Sequence, residues 1–337
     1  MKTVFLFVLL PVLAFSIYPY LSHPPFWIFE DGLVVVDFEL EKPSSASLTI
    51  LTGEDEFVLE DSTSLHHRIK VPVKGSFSYR MRCCSKEFSG QVVYPSKNLK
   101  SFKVLVVGDC RGGTKVFKEI VKKGKRADFM LFLGDVAYTD MNDGDWRGFF
   151  EGLSDFGRVV FTVKGNHEFP GFRYSLYLYP SDYTFRIGSW RFFVLNSNTL
   201  SSLLIAVLKR MFEKYEGEGT KKVVVFHHPV LSCERFRFSH LFASPSDDVL
   251  KLLKKWKVKL VFSSHSHNYQ RLERDGITFL VVGGGGAPVH EIRRGCEGLV
   301  KGYSGYSYVM AFFDERGVSF SVYDLSGRLL DEFRVEY

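Results

Sequence analysis

From Phe102 onward the chain repeats one device: a short, almost wholly apolar run stops on a residue that can bind a metal or carry a proton. Phe102 to Gly108 stops at Asp109, Phe129 to Leu133 at Gly134-Asp135, and Val159 to Val163 at Lys164-Gly165-Asn166-His167-Glu168. Further runs cover Phe192 to Leu195, Val223 to Phe226, Leu260 to Phe262 and Phe279 to Val282. His227-His228 closes the second of these, and His265 and His267 follow the third. Runs this short and this apolar, without alternation, belong to strands buried on both faces. Amphipathic helical stretches separate several of them, around Val116 to Val121, Leu203 to Tyr215 and Asp248 to Trp256. Apolar strands alternating with helices imply a layered α/β domain. In such sheets ligands collect at the C-terminal ends of the strands, where the polar residues of this chain sit.

The first third is written differently. Between Trp27 and Tyr94, short period-two runs recur: Leu33 to Val36, Ser47 to Leu51, His67 to Val73, Phe77 to Arg82 and Gly90 to Tyr94. No helical stripe competes there, so a small all-β sandwich is expected, ending at the polar linker Pro95-Ser96-Lys97-Asn98. A length of 337 residues is comfortable for two domains at roughly 100–200 residues each. The expected division is residues 1–16 as a leader, 17–98 as the sandwich and 99–337 as the α/β domain.

The leader reading rests on Lys2, the apolar stretch from Val4 to Phe15, and small residues at Ala14 and Ser16. It implies a secreted or extracytoplasmic protein, or one held at a membrane if the segment stays uncut. The net charge of +6 suits an anionic small molecule and is too slight and scattered to call for nucleic acid. Five cysteines are an odd number with no Cys-x-x-Cys spacing, so they read as buried small residues with at most one disulfide.

Asp109, Asp135, Tyr138, Asn166, His227, His265 and His267 form a mixed oxygen and nitrogen donor set. That composition suits iron, manganese or zinc, and is wrong for a calcium cage or a thiolate centre. An aspartate after one strand is usually only a turn or a cap. Five such elements, each closing an expected strand, are hard to obtain from structural needs alone.

Gly108-Asp109, Gly134-Asp135-Val136-Ala137-Tyr138, Gly165-Asn166-His167-Glu168, Val224-Val225-Phe226-His227 and Ser264-His265-Ser266-His267 together resemble the calcineurin-like metallophosphoesterases. Within these they are most similar to the purple acid phosphatase branch, whose fibronectin type III-like N-terminal domain the first strands resemble. The resemblance implies a four-layer α/β/β/α domain, with the strands after Gly305 completing its second sheet. It implies that Asp109, Tyr138 and His267 hold a first metal, that Asn166, His227 and His265 hold a second, and that Asp135 bridges. Tyr138 as a phenolate would mark ferric iron beside divalent iron, zinc or manganese; dimanganese or dizinc is the alternative. The implied reaction is hydrolysis of a small phosphomonoester by metal-bound hydroxide, with Asp135 and His167 catalytic. His167 would stabilise developing charge or protonate the leaving group, and a hydrogen-bonded bystander is its other reading. A phosphodiesterase or nucleotide hydrolase on the same site, or a non-catalytic secreted scaffold, are the competing functions.

Departures from the pattern are informative. Ser264 stands where the family has glycine, and His228 is expected to pack behind His227. A further histidine pair of plant-type members is missing from Glu234 to His240, leaving Arg235, Arg237 or His240 to touch substrate. Arg111 can present a guanidinium fork to phosphate or serve a surface ion pair. The glycines at 283–286 lack the lysine and hydroxyl residue of a P-loop.

Overall fold

The computed structural model describes residues 23–30, 32–53, 55–83, 86–178, 180–199, 201–234, 247–293 and 295–337. The expected leader and the stretch holding Arg235, Arg237 and His240 lie outside the described residues. The alternating region forms β1 (His23–Glu30), β2 (Leu33–Thr52), β3 (Asp55–Val71), β4 (Phe77–Cys83) and β5 (Lys86–Val92). The apolar runs become β6 (Phe102–Val107), β7 (Phe129–Phe132) and β8 (Val159–Thr162), separated by α1 (Thr114–Lys123) and α2 (Asp143–Leu153). After α3 (Phe172–Tyr177) come β9 (Tyr183–Ile187), β10 (Trp190–Leu195), α4 (Ser201–Lys214), β11 (Lys221–Phe226), α5 (Asp247–Lys255) and β12 (Leu260–Ser263). The chain closes with β13 (Tyr269–Arg274), β14 (Ile277–Val282), β15 (Leu299–Tyr303), β16 (Ser307–Phe313), β17 (Gly317–Asp324) and β18 (Leu329–Glu336).

Local chemistry sets several boundaries. Asn142 caps α2 by accepting from the Asp145 N–H at 3.1 Å, and Asp143 and Asp145 place negative charge in its first turn. α5 buries Val249, Leu250 and Leu253 at helical spacing and turns its lysines outward.

Two sheets face each other. The first runs β18-β17-β16-β6-β7-β8-β1-β2-β4-β5 with β3 on β2, and the second runs β15-β13-β14-β12-β11-β10-β9. Phenylalanine fills the space between them. Phe161 of the first sheet stacks on Phe185 of the second at 3.7 Å, Phe185 stacks on Phe192 at 4.7 Å, and Phe102 stacks on Phe313 at 4.8 Å. Each ring so buried contributes about 1.5–3 kcal/mol, and this is where the abundance of Phe is spent. α1 and α2 lie on the outer side of the first sheet and α4 and α5 on that of the second, the latter over a separate core of Phe193, Leu208, Phe212 and Leu253. The order of layers is α/β/β/α.

Two connections place the flanking strands, and the second differs from the expectation. The N-terminal strands are all-β and precede the α/β region, but they are joined to it: Trp27 of β1 pairs in parallel with Val159 of β8, so the first sheet continues into them. Trp27 is 1% exposed against Phe77 and Tyr79 of β4, and Phe29 of β1 meets Phe161 of β8, so one core runs through both parts. The C-terminal strands, expected in the second sheet, complete the first, because β16 pairs antiparallel with β6 (Val309 with Val106). The glycine run packs the end of β14 closely against the end of β6. Gly285 donates to Gly108 O at 2.9 Å, and a Cβ at Gly285 would stand 2.3 Å from that same oxygen.

Candidate metal centre

β6, β7 and β8 run parallel to one another in the first sheet, as do β10, β11 and β12 in the second, so their C-terminal ends bring the polar residues to one edge of the two-sheet stack. Asp109 and Asp135 both adopt left-handed backbone (φ 58° each), as does His265 (φ 67°). Non-glycine residues in this region are uncommon and cost energy. Three such turns in one cluster show that the loops are bent to aim side chains inward.

The second proposed ligand group converges closely. Asn166 Oδ1 lies 3.0 Å from His227 Nε2 and 2.9 Å from His265 Nδ1, and those two nitrogens are 3.3 Å apart. Asp135 Oδ1 is 3.4 Å from His227 Nε2. Bonds of about 2.0–2.2 Å around one cation separate its ligand atoms by roughly 3 Å, so these four side chains match one coordination shell. The Nδ1 of His227 donates to Leu133 O at 2.8 Å, which turns Nε2 toward the centre. Ser264 adds its hydroxyl 3.0 Å from the same Nδ1, so the departure from glycine buttresses a ligand. Gly108 makes room for it, since a Cβ there would lie 2.8 Å from Ser264 Cβ.

On the other side, Asp109 Oδ2 accepts from the His265 N–H at 2.9 Å, and Asp109 Oδ1 faces His267 Nε2 at 3.6 Å. Asp109 Oδ1 and Asp135 Oδ2 are buried without a hydrogen-bond partner, although buried carboxylate oxygens are ordinarily satisfied. Both are aimed where a cation would satisfy them, and the donor set fits the first-row metals.

The electrostatics agree. Burial pushes the Asp109 carboxyl well above its usual range. Burial also works against Asp135, yet the charges of His227, His167 and Arg111 hold it below the ordinary carboxylate range. Burial lowers and the Asp135 carboxylate raises His227, with a net rise to about 9. Burial takes His265 down to about 2 and His267 to about 3. Without a metal the Asp135 carboxylate favours a proton on His227, while His265 and His267 stay neutral.

Arg111 reaches into this cluster with its side chain 11% exposed. Its Nη1 lies 2.5 Å from His167 Nε2, its Nη2 2.6 Å from His267 Nε2, and its Nε 3.8 Å from Asp135 Oδ2. His167 donates from Nδ1 to Tyr138 O at 2.7 Å and stays 30% exposed, so its Nε2 faces the cleft. His228 sits behind, its Nδ1 2.8 Å from Ser197 Oγ. Tyr138 is placed apart from the buried set: it is 45% exposed, with its ring centre 5.3 Å from the Arg111 guanidinium carbon. His240 falls outside the described residues.

Two participants escaped the sequence reading. Glu168 is fully buried, and its Oε2 accepts from the N–H groups of Asp135 (2.9 Å) and Gly165 (2.7 Å). Its Oε1 accepts from Val136 at 2.6 Å and Ala137 at 3.4 Å. Its position directly after His167 was visible in the sequence; the role was not. His290 stacks on His267 at 3.9 Å and pairs with Glu234. A lone histidine after Ala287-Pro288 gives no such signal.

Residues 102–269 match the family model described as calcineurin-like phosphoesterase. No curated protein matches the chain. Among solved structures, purple acid phosphatase PPD1 from yellow lupin (Lupinus luteus) seeds is similar with a TM-score of 0.72 at 16% identity, over 93% of this chain and 74% of that one. PhoD is similar with a TM-score of 0.67 at 11% identity, over 95% and 93%. GAP50, described as the anchor in the inner membrane complex of Plasmodium, is similar with a TM-score of 0.55 at 17% identity, over 71% and 89%. At these identities the structural likeness establishes the fold alone. Fold and ligand clusters together suggest two metal ions.

Proposed function

We propose that this chain, which carries a calcineurin-like phosphoesterase domain, is a two-metal hydrolase of small phosphomonoesters. One observation carries the reading: two buried carboxylates, each with an unpartnered oxygen, meet an amide and three imidazoles at the strand ends, beside a guanidinium. Asp109 and His267 would hold one cation, Asn166, His227 and His265 the other, with Asp135 between them. Two bound cations supply Lewis acidity toward phosphoryl oxygens and a more acidic water.

The chain's own residues do the rest. The His167 N–H donates to Asp135 Oδ1 at 3.1 Å and steadies the bridging carboxylate. His167 Nε2, facing the cleft, can hold a proton and release it to a leaving alkoxide; such assistance is typically worth 10²–10⁴-fold. Arg111 offers a planar fork to phosphoryl oxygens once these displace its imidazole partners. Tyr138 decides the metal reading. Ferric iron with divalent iron, zinc or manganese requires its phenol to turn inward, and a dimanganese or dizinc pair is favoured if it stays beside Arg111. A visible phenolate-to-iron absorption band separates these.

Hydrolysis of p-nitrophenyl phosphate against bis-p-nitrophenyl phosphate, with Asp135→Asn as control, tests the function. A monoester preference lost in the variant is expected. A diester preference would move the chain to phosphodiesterases, and inactivity with two metals bound would favour a scaffold. We also propose export, on the leader at residues 1–16; the Cys233–Cys296 disulfide suits an oxidising compartment.

A further inference from the structure

A second group of ligand-type side chains lies on the N-terminal strands, away from the strand-end cluster. Antiparallel pairing sets His23 of β1 opposite Glu39 of β2, and Glu39 opposite His66 of β3. Asp37, two residues before Glu39, is opposite Arg68. Directly paired residues and i,i+2 neighbours share a sheet face, so all five side chains project together. The side chains of His23 and Asp37 are fully buried, and that of His66 is 32% exposed at the rim. α2 and α3 cover the group. His23 stacks on Phe150 at 4.2 Å, and the Tyr177 hydroxyl donates to Glu39 Oε2 at 3.2 Å. A cavity of about 700 Å³ opens beside His23 and Glu39.

The distances decide what this group can do. Arg68 Nη1 donates to Asp37 Oδ2 at 2.7 Å, leaving Oδ1 to face His66 Nε2 at 3.0 Å and His23 Nε2 at 3.5 Å. The Nδ1 of His23 lies 3.1 Å from Pro24 O, which holds the proton on that nitrogen and turns the Nε2 lone pair inward. His23 Nε2 is buried without a hydrogen-bond partner. A bare lone pair opposite a carboxylate oxygen is repulsive, and a hydrogen bond from His66 to Asp37 leaves it so. A cation between them makes both attractive. The three ligand atoms lie within 4.8 Å of one another. Ligands at about 2.0–2.1 Å around tetrahedral zinc stand roughly 3.3 Å apart, and the two measured separations bracket that value.

We propose that His23, Asp37 and His66 form a third cation site, for a divalent first-row metal of the zinc class, fastening β1, β2 and β3 to one another beneath α2 and α3. The site is independent of the catalytic reading, because it shares no residue with the strand-end cluster.

The test uses the chelator-stripped full chain, titrated with zinc and counted by mass spectrometry of bound metal. His66→Gln, at the exposed rim, is the main variant, since His23→Ala also removes the stacking on Phe150. Wild type is expected to bind one zinc more than His66→Gln. Zinc should also raise the melting temperature of Asp135→Asn more than that of Asp135→Asn with His66→Gln. The same zinc count in wild type and His66→Gln would overturn the proposal, as would equal zinc-induced melting shifts in the two Asp135→Asn chains.

Discussion

Replacing Glu168 by Gln changes one atom and should damage both stability and the metal centre. The carboxylate accepts on both oxygens, from Asp135 and Gly165 on one and from Val136 and Ala137 on the other. An amide keeps one accepting oxygen and sets an NH₂ group against two backbone N–H donors. Two buried donors then go unmet, each costing about 1–3 kcal/mol, for a central loss of roughly 4 kcal/mol. At about 2–4 °C per kcal/mol for a domain this large, melting should fall by roughly 8–16 °C. Calorimetry of metal-free protein reads this directly, with Glu315→Gln, an exposed position, as the control expected to stay within about 0.5 kcal/mol. The turn at Asp135 (φ 58°) relies on the same bonds, so the Asp135 carboxylate should also lose its aim. A misplacement of about 1 Å costs on the order of 10²-fold in rate. A variant that melts within 2 °C of wild type, to a rough tolerance set by the same scaling, and turns over normally would show that Glu168 does not anchor these loops.

Arg111→Ala should weaken inhibition by inorganic phosphate by about 10–100-fold, the worth of roughly 1.5–3 kcal/mol for charged hydrogen bonds; an unchanged inhibition constant would remove Arg111 from substrate binding. Cys233→Ser opens a bridge between residues 63 apart and should cost about 4 kcal/mol on loop-closure grounds, read by urea unfolding with and without reductant. Equal midpoints for the wild-type chain in the two conditions would refute that. The Arg334 guanidinium, with the N–H groups of Arg316 and Gly317, holds Asp314 down to about 2 against an ordinary 3.8. A depressed acid stabilises the fold above its ordinary value and loses that contribution as pH falls through the folded one. Asp314→Asn should therefore cost about 1 kcal/mol near neutrality after solvent screening, with the gap to wild type narrowing from pH 4 to pH 2. A gap that stays constant over that range would be evidence against the ion pair.

Much of the candidate centre was legible because its donor residues are tied to local grammar. An apolar run specifies a buried strand, a parallel sheet gathers strand ends, and the residue just past each run is carried there without further information. Asp109, Asp135 and His227 stand one or two residues past a run, and Asn166, His265 and His267 within five. Tyr138 lies three residues beyond its strand-end aspartate, far enough for its direction to depend on a neighbour, and the neighbour is Arg111. Glu168 was visible as a letter in the motif, but four backbone donors from two different loops had to be assembled before it had a role.

The chain's own pattern determined which segments are strands, which edge of the sheets is chemical, and which donors stand there, since all three follow from periodicity and residue type within a few positions. The tertiary structure alone decided that β1 extends the first sheet through Trp27 and Val159, that β16 returns to β6, that Arg111 lies among the imidazoles, and that His23, Asp37 and His66 meet. Those outcomes depend on pairing register and side-chain direction between residues far apart in sequence, which are set only when the packed layers choose among the partners available.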